Sequence, residues 1–257
     1  GASCTGAGVL QEKNERLGDT LNARTFAMAE KSGLPLMTIC STCQGVMAQA
    51  NDRLTSNSEY LESINEDLRE EGLEYKGTIE PKHLLWVIVE DLGIDFLKSK
   101  IVRKLDGIKL APFYGCYIVH PSKALGLDKN PNRKQALEEV IEAVGGEVVD
   151  FPGKTLCCGF PILTINPENS LKMVSNHTLD AKQSGADAMV TPCPLCHLNL
   201  DGYQPKAAAS VKQDIDLPII HLPQLVGLAL GIKPEDMRLN KHIVSTKKLL
   251  SELAVTP

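Results

Sequence analysis

The sequence has few aromatic residues, no excess of positive charge and no long apolar run, and each absence argues against a class of protein. Only 4% of the 257 residues are aromatic and the net charge is −5, so a nucleic-acid partner is not expected. The longest apolar run covers residues 84–89, far short of the roughly 20 residues that span a bilayer. No signal peptide opens the chain, so we expect a cytoplasmic protein.

Eight cysteines are present, and their spacing is the most informative feature of the sequence. In a large chain of cytosolic character they argue against a disulfide scaffold. In the second half, forty residues separate a single cysteine from a vicinal pair, and thirty-four more lead to a CxxC motif. The cysteines of this half are Cys116, Cys157, Cys158, Cys193 and Cys196, and those of the first half are Cys4, Cys40 and Cys43.

The first half repeats part of this spacing at offsets of 153 or 154 residues, which indicates an internal duplication. We therefore predict two homologous units, residues 1–107 and 108–257, of which the first lacks its N-terminal segment and so the counterpart of Cys116. In this alignment the first unit lacks one cysteine of the vicinal pair. The aligned residues are Ser3 with Cys157, Cys4 with Cys158, Cys40 with Cys193, and Cys43 with Cys196.

Alternating strands and helices predict an α/β fold with parallel strand pairing in each unit. Because the carboxyl ends of parallel strands meet at one edge of a sheet, the cysteines that follow the strands should lie together there. The predicted strands cover 108–119, 147–151 and 188–191, and the predicted helices cover 132–145, 167–184 and a segment that begins after Cys193.

Four kinds of site fit clustered cysteines. Buried structural thiols would not require a repeated spacing, so they do not explain it. A thioredoxin-like dithiol requires only one CxxC motif and leaves the other cysteines without a role. A zinc ion takes four ligands and leaves the fifth thiol of the second unit unused. An iron–sulfur centre binds thiolates readily and can use five if the cluster is not a simple cube. The iron–sulfur interpretation is favoured, and a zinc-binding structural or interaction module is the alternative.

The pattern Cys116-x40-Cys157-Cys158-Gly159-x33-Cys193-x2-Cys196 resembles the CCG cysteine-rich domain found in the B subunits of heterodisulfide reductases and in related proteins. The segments "GASCTGAGV", "STCQGVM" and "CCGFPILTIN" are similar to the B-like (E-type) subunit of non-classical succinate dehydrogenases and to sulfur-oxidising heterodisulfide reductase-like complexes. The resemblance implies Rossmann-like CCG units and a noncubane [4Fe–4S] cluster held by the five cysteines of the second unit. In the first unit it leaves a second iron–sulfur cluster or zinc open.

The resemblance further implies an electron-transfer subunit of a multi-subunit oxidoreductase. Its expected partners are a ferredoxin-like iron–sulfur subunit and a flavoprotein, and the cluster would pass electrons to or from a disulfide or a quinone. Peripheral contact with the inner face of the membrane is compatible with this function, because a segment over 84–105 has an apolar face and a basic end. A core helix is the alternative for that segment.

Two histidines lie beside the cysteines in sequence and are candidates for handling protons. His197 directly follows Cys196, and His120 lies four residues after Cys116. A helix cap is the structural alternative for His197. His83 and His221 occupy equivalent repeat positions before apolar segments, which favours a structural role for both.

Overall fold

A computed structural model of the chain describes residues 2–6 and 8–253. These residues form two compact units, one from the residues up to 84 together with 117–131, the other from 85–116 together with 132 onward. The predicted division between 107 and 108 rests on sequence repetition, which is a different criterion from compactness. It therefore stays a prediction.

The first compact unit is mainly helical, with a short parallel strand pair. Its core contains Phe26, Leu54, Ile64 and Tyr75, all almost fully buried. The Phe26 and Tyr75 rings contact each other at a centroid distance of 5.1 Å. The elements are α1 (Val9–Lys13), α2 (Glu15–Ser32), β1 (Met37–Thr38), α3 (Ser41–Ser56), α4 (Ser58–Leu68), a 3-10 turn (Arg69–Glu71) and β2 (Lys82–His83).

The second compact unit contains a four-stranded, fully parallel sheet in the order β4-β3-β5-β6. Its strands are β3 (Lys109–Pro112), β4 (Glu147–Val148), β5 (Ala188–Thr191) and β6 (Ile219–His221). The helical segments from Leu84 on are α5 (Leu84–Trp86), a π-helix (Val87–Leu92), α6 (Ile94–Lys100), a 3-10 turn (Pro131–Lys134), α7 (Ala136–Ala143), a 3-10 turn (Phe160–Ile162), α8 (Pro167–Gln183), α9 (Pro194–Gly202), α10 (Gln204–Val211), α11 (Leu222–Ala229), a 3-10 turn (Leu239–Lys241) and α12 (Lys247–Glu252).

Local sequence explains the elements that position the cysteines. All four residues of the central strand β5 are buried, as expected for a parallel strand covered on both faces. The helix α8 begins after Asn166, whose side chain accepts the Asn169 N–H, and α9 has Pro194 in its first turn. The combination of helices with a parallel sheet agrees with the predicted α/β class.

Four sequence predictions were wrong in extent. The strand predicted over 147–151 is Glu147–Val148, and the helix predicted over 132–145 is Ala136–Ala143. The strand predicted over 108–119 ends at Pro112, because the Tyr114 and Gly115 N–H groups turn away from the sheet toward the Lys154 carbonyl. The segment 84–105 is not one amphipathic helix. It is divided at Gly93, whose φ of +84° lies in the left-handed region that favours glycine.

The two strand pairs share a register that follows the sequence repeat. Thr38 pairs with His83 in the first compact unit, and Thr191 pairs with His221 in the second. The helices that precede these strands also begin alike, since Asn14 caps α2 as Asn166 caps α8. These are parallels of local structure, and the internal duplication stays a prediction.

Replacing Gln204 with leucine should destabilise the second compact unit by about 2–3 kcal/mol, because its buried amide bonds both backbone groups of Leu217. The Gln204 Nε2 donates to the Leu217 carbonyl at 3.0 Å, and its Oε1 accepts the Leu217 N–H at 2.7 Å. Urea denaturation under anaerobic conditions measures the loss. The exposed Gln213→Leu change is the matched control, and equal stabilities for the two variants would contradict the assignment.

Candidate metal centre

The five cysteines of the second compact unit lie on three loops that follow its strands. Cys116 comes four residues after β3, and the vicinal pair Cys157-Cys158 lies on the segment that follows β4. Cys193 is the residue that precedes the first turn of α9, and Cys196 lies within that turn. A helix N-terminus favours negatively charged ligands such as thiolates.

The five thiols form a continuous chain of contacts. Cys116 contacts Cys157, which contacts Cys158. Cys158 in turn contacts Cys196, and Cys196 contacts Cys193. Cys158, Cys193 and Cys196 are buried, whereas Cys116 and Cys157 are partly exposed. The thiol chain therefore has one end near the surface and the other in the core.

The thiols differ in the charge that the protein favours on each. Hydrogen bonds from the Cys116 and Cys158 thiols and from the Gly159 N–H lower the pKa of Cys157. The hydrogen bond to Cys157 and burial raise the pKa of Cys116, and contact with Cys158 and Cys193 together with burial raises that of Cys196. One thiolate is thus stabilised without metal, and further thiolates need a positively charged group among them.

The Lys154 carbonyl connects the first two cysteine loops. It accepts the Tyr114 N–H at 2.7 Å and the Gly115 N–H at 3.3 Å. Gly115 has a φ of +71°, and a Cβ there would lie 2.9 Å from the Cys196 Sγ. A side chain at this position would therefore strain the backbone and press on a thiol.

Three polar side chains, which we call the carbonyl clamp, hold the backbone of the vicinal pair. His177 Nε2 donates to the Cys157 carbonyl at 2.9 Å, and burial lowers the pKa of this ring, so that it is neutral. Asn199 Nδ2 donates to the Cys158 carbonyl at 2.8 Å, and the Ser170 hydroxyl donates to the Gly159 carbonyl at 2.9 Å. Three consecutive carbonyls are thereby fixed.

The carbonyl clamp was not predicted from the sequence, because its side chains lie 11 to 41 positions away from the carbonyls that they bond. Two of its members come from α8 and one from α9. The helix caps Asn14 and Asn166 lie 152 residues apart and the CxxC motifs 153, and these offsets place Thr25, Gly18 and Val46 at the corresponding positions of the first half. None of these side chains has a donor suited to the same role except Thr25, whose hydroxyl donates to the Leu21 carbonyl. This difference between the aligned residues of the two halves was the signal in the sequence that could have revealed the clamp.

The cysteines of the first compact unit have local surroundings like those of the second. Cys40 precedes α3 with φ and ψ of −132° and 120°, close to the −121° and 119° of Cys193 before α9. The Cys4 Sγ accepts the Gly6 N–H at 3.4 Å, as the Cys157 Sγ accepts the Gly159 N–H at 3.4 Å. Cys4 is exposed and Cys43 is partly buried.

The candidate histidines lie in different surroundings. His197 is partly buried on α9, and burial lowers the pKa of its ring. His120 is exposed and belongs to the first compact unit. Lys154, beside the vicinal pair in sequence, contacts Asp150 at 2.7 Å and Glu138 at 3.2 Å, so carboxylates already neutralise its charge.

A comparison with protein families matches the cysteine-rich domain named CCG at residues 1–48 and 110–201. These segments cover more than half of the chain and contain all eight cysteines. The chain belongs to the CCG cysteine-rich domain family. The resemblance inferred from the cysteine spacing is confirmed.

The relatives that this chain matches are named as reductase subunits or for their likeness to one. The chain is 37% identical over 249 residues to the 8-methylmenaquinol:fumarate reductase membrane anchor subunit of Wolinella succinogenes, covering 97% of this chain and 86% of the relative. It is 32% identical to the B subunit of the ferredoxin/F(420)H(2)-dependent CoB-CoM heterodisulfide reductase of Methanosarcina acetivorans, covering 98% and 85%. It is 33% identical to an Archaeoglobus profundus protein named for its likeness to the heterodisulfide reductase B subunit, covering 83% and 72%.

A solved structure shares the fold. A hypothetical protein from Helicobacter pylori superposes with a TM-score of 0.73 at 21% identity, over 90% of this chain and 42% of that one. The likeness supports the α/β architecture alone. Within residues 2–6 and 8–253, no helix has the length and apolar character that crossing a membrane requires.

Removing one arm of the carbonyl clamp should loosen the metal centre. In Asn199→Leu the buried Cys158 carbonyl loses its donor, and we expect bound metal to be lost several-fold faster to a chelator. Iron release from anaerobically purified protein, followed by a colorimetric chelator, measures this rate. The matched control is Asn176→Leu on the exposed side of α8, and equal release rates for the two variants would argue against the clamp.

Proposed function

We propose that the chain is an iron–sulfur electron-transfer subunit of a multi-subunit oxidoreductase. The five cysteines of the second compact unit hold a noncubane [4Fe–4S] cluster in this proposal. The observation that carries it is the chain of five contacting thiols drawn from three strand-end loops. The reductase subunits among the relatives support it further. The proposed ligands are Cys116, Cys157, Cys158, Cys193 and Cys196.

The number and character of the donors fit this group. A tetrahedral zinc ion and a four-iron cube each take four protein ligands, whereas five thiols contact one another here. The neighbouring thiols and burial raise the pKa of Cys116, Cys158 and Cys196, so these thiols need a positive neighbour to ionise, which iron supplies. When bound, the cluster supplies one-electron transfer between donors and acceptors.

The protein's own residues position the thiols and limit access to them. The carbonyl clamp holds the loop of the vicinal pair, and the Lys154 carbonyl holds the loop of Cys116. Burial keeps water from Cys193 and Cys196. Leu156, which precedes the partly exposed Cys157, is 55% exposed, and Ile165, eight residues after Cys157 in the segment before α8, is 82% exposed. Such apolar side chains suit contact with a partner subunit or a substrate at the exposed end of the thiol chain.

We propose a ferredoxin-like iron–sulfur subunit and a flavoprotein subunit as partners, and a disulfide or a quinone as the molecule that exchanges electrons with the cluster. One relative's name contains a menaquinol and another's contains a heterodisulfide, and for this reason we propose both kinds of molecule. A cytoplasmic location with peripheral contact at the membrane agrees with this function. The roles of His120 and His197 in proton handling stay predictions.

We further propose that the two halves are repeats, with an alignment that differs from the one based on Ser3. The shared N–H···S geometry makes Cys4 the counterpart of Cys157, and the offset is then 153 residues for all three pairs. Thr5 takes the position of Cys158. The first half thus lacks the second cysteine of a vicinal pair, so its Cys4, Cys40 and Cys43 suit a different iron–sulfur cluster or zinc.

Substituting Cys157 tests the cluster assignment. Cys157→Ser should abolish the electron paramagnetic resonance signal of the noncubane cluster and lower the iron content per chain. The reason is that this change removes the thiol that contacts both Cys116 and Cys158. Cys4→Ser, which replaces a thiol with the same local geometry in the other compact unit, should retain that signal. Anaerobic purification with iron and sulfide quantitation provides the measurement.

The opposite outcome identifies the zinc alternative. Colourless protein that contains zinc, lacks acid-labile sulfide and shows no iron–sulfur resonance would overturn the proposal. A Cys157→Ser variant with the wild-type spectrum would overturn the ligand assignment while leaving an iron–sulfur function in place.

A further inference from the structure

Three side chains of the second compact unit form a group of metal-ligand type that contains no cysteine. His197 and Asp201 lie one helical turn apart on α9, and His242 directly follows the 3-10 turn Leu239–Lys241. One ligand atom from each residue lies within 4.8 Å of the other two. Asp201 is buried, and the two histidines are partly buried.

This group lies on a different face of α9 from Cys196. Consecutive positions on an α-helix are rotated by about 100°, so His197 leaves α9 in a different direction from Cys196. Its ring contacts the His242 ring edge-on, with a centroid distance of 4.6 Å and an interplanar angle of 70°. The group is therefore a separate site, although it shares α9 with the thiol chain.

Asp201 holds the backbone that carries His242. Its two carboxylate oxygens accept the Ile243 N–H at 2.8 Å and the Val244 N–H at 3.0 Å. Each carboxylate oxygen has more than one acceptor site, so these bonds leave capacity for a metal ion. The carboxylate thereby fixes one histidine while remaining a ligand itself.

His197 contains a buried nitrogen that the protein leaves without a partner. Its Nε2 atom has no solvent contact and no hydrogen bond to any of the described residues. A buried, unpaired polar atom costs about 1–3 kcal/mol. A metal ion bound to this nitrogen would remove that cost.

The His242 Nε2 atom carries a lone pair that a weak donor occupies. Gln224 Oε1 accepts the His221 N–H, and its Nε2 donates to the Met237 carbonyl, which fixes the orientation of the amide. The second N–H of that amide lies toward His242 Nε2, 3.0 Å away. Because the amide can only donate there, His242 Nε2 accepts this bond, while the buried Nδ1 atom of the same ring has no partner among the described residues. A cation that binds Nε2 displaces a neutral donor.

We propose that His197, Asp201 and His242 bind a zinc ion in a second metal site. Two imidazoles and a carboxylate are a donor set that zinc accepts, with a water in the fourth position. Tetrahedral bonds of about 2.0–2.1 Å place ligand atoms about 3.4 Å apart, so closure from 4.8 Å requires shifts of about an ångström. The site does not depend on the cluster assignment. In the first half, Gln44 and Ala48 stand 153 residues before His197 and Asp201.

Zinc content and zinc X-ray absorption of the anaerobically purified full chain, after dialysis with zinc, test this site. We expect the wild type to bind one zinc more than His242→Gln does, and this additional zinc should have nitrogen and oxygen ligands at about 2.0–2.1 Å. His242→Gln and His197→Gln should each lower the retention of this zinc at least tenfold without changing iron content. Gln224→Glu should raise retention several-fold, because a carboxylate replaces the competing amide.

Lys241→Gln is the control, since Lys241 is exposed and adjacent to His242. Zinc should raise the thermal midpoint of the wild type and of Lys241→Gln but not that of His242→Gln. Zinc whose ligands are sulfur at about 2.3 Å with no nitrogen and oxygen shell, or undiminished zinc in His242→Gln, overturns the proposal. The gain expected for Gln224→Glu is a readout that a folding defect cannot imitate, and a decrease there also counts against the site.

Discussion

The organisation of the thiol site depends on one acceptor, the carbonyl oxygen of Lys154. By accepting two successive N–H groups, from Tyr114 and Gly115, it ends strand β3 and turns the chain toward the loop of the vicinal pair. Cys116 follows directly, and its thiol meets that of Cys157. Two neutral hydrogen bonds contribute about 1 kcal/mol each, which is modest. Their larger effect is geometric, because they determine where the segment after β3 places the Cys116 thiol.

The vicinal pair then needs a backbone that keeps two adjacent thiols on the same side. Adjacent side chains in an extended chain point in opposite directions, so the pair requires an irregular backbone, and irregular backbone leaves carbonyls without partners. The carbonyl clamp supplies those partners from His177, Asn199 and Ser170. A buried carbonyl without a donor would cost about 1–3 kcal/mol. The clamp is therefore the condition for a vicinal pair at this position.

Local patterns predicted much of the fold and part of the site. The strand over 188–191 and the helix over 167–184 were predicted almost to the residue, because burial and the Asn166 cap are encoded locally. The end of β3 and the carbonyl clamp were not, since the hydrogen bonds that define them join residues 11 to 41 positions apart. The prediction of one helix over 84–105 failed for a different reason. The apolar periodicity continues through Gly93, but the helical backbone is interrupted at that residue.

Two faces of helix α9 contribute to two different sites. Cys196 and Asn199 are three residues apart, so both face the vicinal pair, and one supplies a thiol while the other holds the Cys158 carbonyl. His197 and Asp201 are four residues apart on a second face, which meets His242. One short helix thus serves two sites without sharing a side chain between them.

The corresponding helix of the first compact unit, α3, has the same start but different faces. Cys40 precedes it as Cys193 precedes α9, and Cys43 follows in the first turn. Beyond that turn, Gln44, Val46 and Ala48 stand where α9 has a ligand histidine, a clamp asparagine and an aspartate. Gln44 instead donates to the Pro81 carbonyl and accepts the Thr38 hydroxyl, which stabilises the strand pair. The two helices therefore share the role of presenting a CxxC motif. The side chains that follow determine whether the same support serves metal chemistry or packing.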